Sequence, residues 1–172
     1  DLFGGATRRT RPGEFWALRH VTFDVAQGEA IGVVGRNGQG KTNLVEAIDY
    51  LFRRGKYADH PEGDPAVLLL DEPSTGLDVA ARERLLQTVD RLHRKHPDLA
   101  TVLVTHHLEE LPETTTHAVL VTGGRILAAG PVHDILTTAL VTECFDYPIE
   151  IAHDEGRWSA RGAQRDDGLI RC

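Results

Sequence analysis

One segment limits the folds open to this chain more than any other: Gly35-Arg-Asn-Gly-Gln-Gly40-Lys41-Thr42, a full match to G-x-x-x-x-G-K-[ST]. Its glycines let successive backbone N–H groups turn inward around a phosphate without side-chain clashes, and a helix starting there adds positive dipole. Gly35, Arg36, Asn37, Gly38, Gln39, Gly40, Lys41 and Thr42 are therefore candidate phosphate-binding residues. Lys41 has the reach for β- and γ-phosphates, and the Thr42 hydroxyl can ligate Mg2+. The flanks agree. Ala30 to Val34 is a continuous apolar run, as in a strand buried on both faces, and Leu44, Val45, Ile48, Leu51 and Phe52 recur at helical spacing over 41–54.

The remaining punctuation gives the organisation. Residues 1–13 read as a flexible leader with Arg8, Arg9 and Arg11. Val21, Phe23 and Val25 alternate with Thr22 and Asp24, and Gln27-Gly28-Glu29 is a turn, so the domain opens on an antiparallel hairpin. Residues 55–65, with two glycines and two prolines, form a linker. Val67 to Leu70 predicts a second buried strand, Ala81, Leu85, Leu86, Val89 and Leu92 a helix, and Thr101 to Thr105 a third buried strand. Strands at 117–121 and 125–129 flank a turn at Gly123-Gly124; Val132, Ile135, Leu136 and Ala139 mark a short helix, and 162–172 a loose tail. This succession predicts a single α/β domain over 14–161, with a mostly parallel sheet sandwiched by helices.

Composition narrows the function classes. With 19 basic and 26 acidic residues, the net charge of −7 gives no broad footprint for duplex nucleic acid, which argues against that partner. Two cysteines, Cys144 and Cys172, do not make a disulfide scaffold, and a reducing, cytoplasmic compartment fits them best. The apolar runs fall well short of the roughly 20 residues of a membrane-spanning helix. The chain contains no methionine, which leads to the expectation of a fragment or a composite.

A second constellation follows the second strand. In Val67-Leu-Leu-Leu-Asp71-Glu72 two carboxylates stand at the C-terminal end of an apolar run, where α/β sheets bind ligands. Asp71 can hold the Mg2+ that Thr42 holds from the other side, and Glu72 can polarise an attacking water as general base. The longer string Leu70-Asp-Glu-Pro-Ser-Thr-Gly-Leu-Asp78 resembles the Walker B segment and D-loop of ABC-type ATPases, a class of P-loop NTPases. Val104-Thr-His-His-Leu-Glu-Glu110 is similar to that family's switch-histidine segment, which implies that His106 contacts the γ-phosphate, and Gly124-Arg-Ile-Leu-Ala-Ala-Gly-Pro131 resembles the hairpin that follows it.

The resemblance spans roughly 14–54 and 66–161, in several flavours. Residues 14–23 look like the opening strand of polysaccharide-export ABC ATPases, whereas 38–48 look like DNA-repair ATPases of the RecF type. The resemblance implies ATP as ligand and a position in the cytoplasm or at the inner face of the membrane. It also implies a second ATPase subunit completing each site and a transmembrane subunit, the latter weakly, because the region that docks onto it is missing. Phe15 and Trp16 are equally consistent with stacking on adenine and with ordinary packing. Lys41 and Asp71 lie thirty positions apart, whereas the family places a Q-loop, a helical subdomain and the LSGGQ signature between these motifs. Nothing in 55–65 replaces them. The reading is therefore ATP binding with weak Mg-dependent hydrolysis, as the ATP-binding protein of a transporter; a non-catalytic nucleotide-binding fragment and a DNA-repair ATPase of the RecF/SMC type stay open. In the fold implied, the strand before His106 lies between the phosphate-loop strand and the strand ending at Asp71.

Overall fold

A computed structural model of the chain describes Ala26, residues 28–39, Lys41 and residues 67–163. The expected opening strand, the helix beyond Lys41, the 55–65 linker and the aromatic pair Phe15 and Trp16 lie outside the described residues. Apolar runs become strands where expected: β1 (Ala30–Val34), β2 (Val67–Asp71), β3 (Ala100–Thr105), β4 (His117–Thr122) and β5 (Arg125–Pro131). Their spatial order is β2-β3-β1-β4-β5, parallel except for β4 against β5. Thus β3 does lie between β1 and β2. Val34 is paired with Thr105, and Asp71 with Val104, so the C-terminal ends of these three strands share one edge.

The central strands are buried because both faces carry apolar side chains. Ile31, Val33, Val102, Val104, Val119 and Val121 cluster on one face. Val34, Leu103, Ala118 and Leu120 join Leu111, Val132, Ile135, Leu136, Val141 and Trp158 on the other. Each fully buried Val or Leu contributes roughly 1.5–3 kcal/mol. The expectation of a buried second strand needs correction. Leu68, Leu69 and Leu70 are half-buried, because β2 has a paired neighbour on one side only among the described residues.

Helix α1 (Val79–Lys95) starts where Asp78 Oδ1 accepts the Ala81 N–H at 2.7 Å, and ends on His93, Arg94 and Lys95, which suit the negative end of its dipole. Beyond β5 the single short helix expected is instead two, α2 (Val132–Ile135) and α3 (Thr138–Phe145). Thr137 causes the break: its hydroxyl accepts the Leu140 N–H at 3.3 Å, starting a new helix rather than continuing the old one. Both helices pack against β4 and β5.

A second hairpin, β6 (Ile149–Asp154) with β7 (Arg157–Gly162), occupies residues that the sequence reading assigned to no element. Its turn residues Glu155 and Gly156 both have positive φ, as two-residue hairpin turns require. Threonines cover the outer edge of β6: Thr142 Oγ1 accepts the Ile149 N–H at 3.1 Å and Thr138 Oγ1 the Ile151 N–H at 3.2 Å. On the other edge, Glu109 accepts the Ala160 N–H at 3.0 Å. These contacts occupy amides that would otherwise recruit another strand.

Candidate functional site

The glycine-rich loop leaves β1 at Val34 and crosses the end of β4. An ideal Cβ on Gly35 would stand 2.3 Å from the Val121 carbonyl oxygen, so only glycine passes there. That carbonyl sits at an irregularity in the β4–β5 register and accepts the Cys144 thiol at 3.5 Å. Burial pushes the Cys144 thiol up to about 11, against the smaller opposing pull of Lys41. Gly38 takes φ +77 with open space around it. Gln39 Oε1 accepts the Gly123 N–H, tying the loop to the β4–β5 turn, and Asn37 is exposed.

Lys41 is buried, with helical backbone. Its Nζ donates to the carbonyls of Gly35 at 2.6 Å and Arg36 at 2.9 Å, so the loop wraps its own ammonium. Desolvation lowers its pKa; the charges of Glu72 and Asp71 pull the other way without offsetting burial. Those carboxylates come from the end of β2, on the same sheet edge. Asp71 is exposed. Glu72 has a φ of +44, sparsely populated for a non-glycine residue, and its N–H donates to Val104 O at 2.8 Å.

His106 follows β3, and its Nδ1 lies 3.0 Å from Glu72 Oε1. A carboxylate only accepts, so this contact assigns the proton to Nδ1 and leaves Nε2 to face another partner. The two residues expected to act on water and on the terminal phosphate are therefore in direct contact, both partly exposed. Gly40 and Thr42 lie outside the described residues. For Mg2+, the described share of the donor set is the Asp71 carboxylate, a hard oxygen ligand of the right kind. Among the described residues no three His, Cys, Asp or Glu side chains gather as a metal cage.

Two features of the site had no sequence signal. Thr105 and Glu110, on either side of the histidine pair, are hydrogen-bonded to each other. Arg157 of the unforeseen hairpin donates to Glu83 at 3.1 Å and to the Glu109 carbonyl at 2.9 Å, joining α1 to the segment after β3.

Comparison with known proteins gives matches throughout. The family described as ABC transporter matches residues 18–60. The ABC transporter ATP-binding protein YlmA of Bacillus subtilis (strain 168) is 37% identical over 122 residues, 64% of this chain and 46% of that protein. The molybdenum import ATP-binding protein ModC of Aromatoleum aromaticum is 37% identical over 106 residues, 60% of this chain and 26% of that protein. The chain thus spans less than half the length of these curated relatives. Among solved structures, an ABC transporter in an inward-facing conformation superposes with a TM-score of 0.65 at 15% identity, over 91% of this chain and 95% of that one. A bacterial ABC transporter cassette, solved as a dimer, gives 0.55 at 15% identity, over 67% of this chain and 90% of that one. At such identity these two likenesses speak for the fold. No helix among the described residues is long and apolar enough to cross a membrane.

Proposed function

We propose that the chain, which is similar to ABC transporter ATP-binding proteins, is the ATP-binding part of a nucleotide-binding domain that powers a transporter from the cytoplasmic side of the membrane. The observation that carries this reading is the Glu72–His106 contact of 3.0 Å, on the sheet edge that also bears Asp71 and the loop around Lys41. Backbone N–H groups of residues 35–42 cradle the phosphates. Lys41 exchanges its two carbonyl partners for phosphate oxygens, Glu72 accepts a proton from the attacking water, and His106 orients Glu72 while its other ring nitrogen faces the terminal phosphate. Asp71 and Thr42 would hold Mg2+, which supplies charge neutralisation at the β- and γ-oxygens. The names of the relatives support the transporter reading over the DNA-repair one.

Hydrolysis by this chain alone is slow in this account. Nothing in the interval 55–65 replaces the signature segment, and two copies would both lack it. Phosphoryl transfer rests on positioning and charge stabilisation, and losing even one preorganised donor typically costs about 10²–10³ in rate. A second ATPase subunit bearing a signature would complete the site. The test is steady-state phosphate release by the purified chain, alone and mixed with an intact ABC ATPase. The reading expects a trace rate alone, a rate in the mixture above the sum of the two proteins' separate rates, and loss of the trace rate and of that excess in Glu72→Gln with nucleotide binding retained. Brisk turnover by the chain alone that Glu72→Gln abolishes would overturn the incomplete-site account.

A further inference from the structure

The turn that presents His106 is closed by side chains as well as by backbone. Thr105 is fully buried. Its Oγ1 accepts the His107 N–H at 3.0 Å and donates to Oε2 of Glu110, a residue only 6% exposed. Burying a carboxylate is costly unless it is hydrogen-bonded, and a short helical turn has no need of one. The backbone of Leu108–Glu110 already makes its own bonds, Glu110 N to His107 O at 3.2 Å and Leu111 N to Leu108 O at 3.1 Å. What the buried pair adds is a grip on both neighbours of His106, Thr105 before it and His107 after it. Fixed on both sides, the imidazole keeps only its own side-chain torsions. Its target is fixed too, since Glu72 is held by its backbone bond to Val104.

Resting on the ATPase reading above, we propose that Thr105 and Glu110 are positioning residues that hold the His106 ring in the Nδ1–H tautomer against Glu72. Neither hydrogen-bonds Lys41 or the described part of the 35–42 loop. They act on hydrolysis through His106 and leave nucleotide binding alone. Holding an acid–base pair within a fraction of an ångström is worth the cost of a buried acid, because small misplacements near reacting atoms are expensive.

The test reads the His106 ring nitrogens by NMR in the 15N-labelled full-length chain, assigned by the signal lost in His106→Asn. Wild type and Thr105→Ser, which keeps the hydroxyl, are expected to show the Nδ1–H form. Thr105→Val is expected to lose it. The double variant Thr105→Val with Glu110→Leu removes both polar groups without leaving either unpaired, which protects the fold. It too should lose the Nδ1–H signal. Affinity for a fluorescent ATP analogue, measured alongside, should stay within about twofold of wild type in every variant. An unchanged His106 signature in both valine variants overturns the proposal. So does a variant that loses nucleotide binding together with the tautomer, because that is general disruption. Wild-type chain that shows the Nδ1–H form and binds no nucleotide upholds the clamp while overturning the ATPase reading.

Discussion

Substituting Gly35 by alanine tests how closely the phosphate loop depends on the sheet beneath it. The added Cβ would stand 2.3 Å from the Val121 carbonyl oxygen and 3.3 Å from its carbon, against the 3.0 Å that real Cβ contacts respect. Both obstacles are backbone in β4, so no side chain can turn away. The loop has to lift by about 0.7 Å, or β4 must bend. Overpacking of this kind costs about 1–3 kcal/mol, and the rigid neighbour favours the upper half of that range. For a domain of this size, 2–3 kcal/mol lowers Tm by roughly 4–12 °C. The same lift displaces the Gly35 and Arg36 carbonyls that hold Lys41, so affinity for ATP should fall by at least about tenfold. Gly38→Ala is the control, because Gly38 has open space and only its φ of +77 to defend. It should cost about 1–2 kcal/mol of backbone strain without a clash. Thermal denaturation with calorimetric ATP titration distinguishes them. A Gly35→Ala chain with wild-type Tm and affinity would refute the argument.

Two further outcomes follow from the described structure. The Cys144 thiol is pushed from 9.0 to about 11 by burial, so its protonated form is favoured in the fold. Stability from this source is intact below pH 9.0 and declines as pH rises towards 11; alkylation at pH 8, mapped by mass spectrometry, should label Cys144 only after unfolding, and ready labelling of the folded chain would count against its burial. Replacing Thr138 and Thr142 together by alanine frees the Ile149 and Ile151 amides, which should cost about 1–3 kcal/mol in urea denaturation and promote concentration-dependent association, seen by light scattering.

The parts of this molecule that were legible in the sequence are those written in side-chain type at fixed spacing. Ala30 to Val34 and Thr101 to Thr105 announce buried strands because both faces of a central parallel strand are covered. The placing of β3 between β1 and β2 came through family resemblance rather than periodicity; that resemblance set His106 on the γ-phosphate, and only the structure brings it beside Glu72. The hairpin of β6 and β7 escaped, since only Ile149, Ile151, Trp158 and Ala160 turn towards the core, amid exposed charged and polar residues. Thr137 ended one helix and began another through a cap that competes on nearly even terms with helical continuation. At the site, the left-handed backbone of Glu72 and the Thr105–Glu110 pair were invisible. Neither has a motif, because each depends on where neighbouring strands bring the chain.

The central claim, that this chain holds ATP on the loop around Lys41, is tested most directly by calorimetric titration of the purified protein with Mg·ATP, beside its Lys41→Ala variant. The account predicts a saturable heat signal for the wild type and none for the variant, because the ammonium that now rests on the Gly35 and Arg36 carbonyls is the loop's own positive charge for the β- and γ-phosphates. Equal binding by both proteins, or none by the wild type, would mean that the glycine-rich segment is a turn and not a nucleotide site.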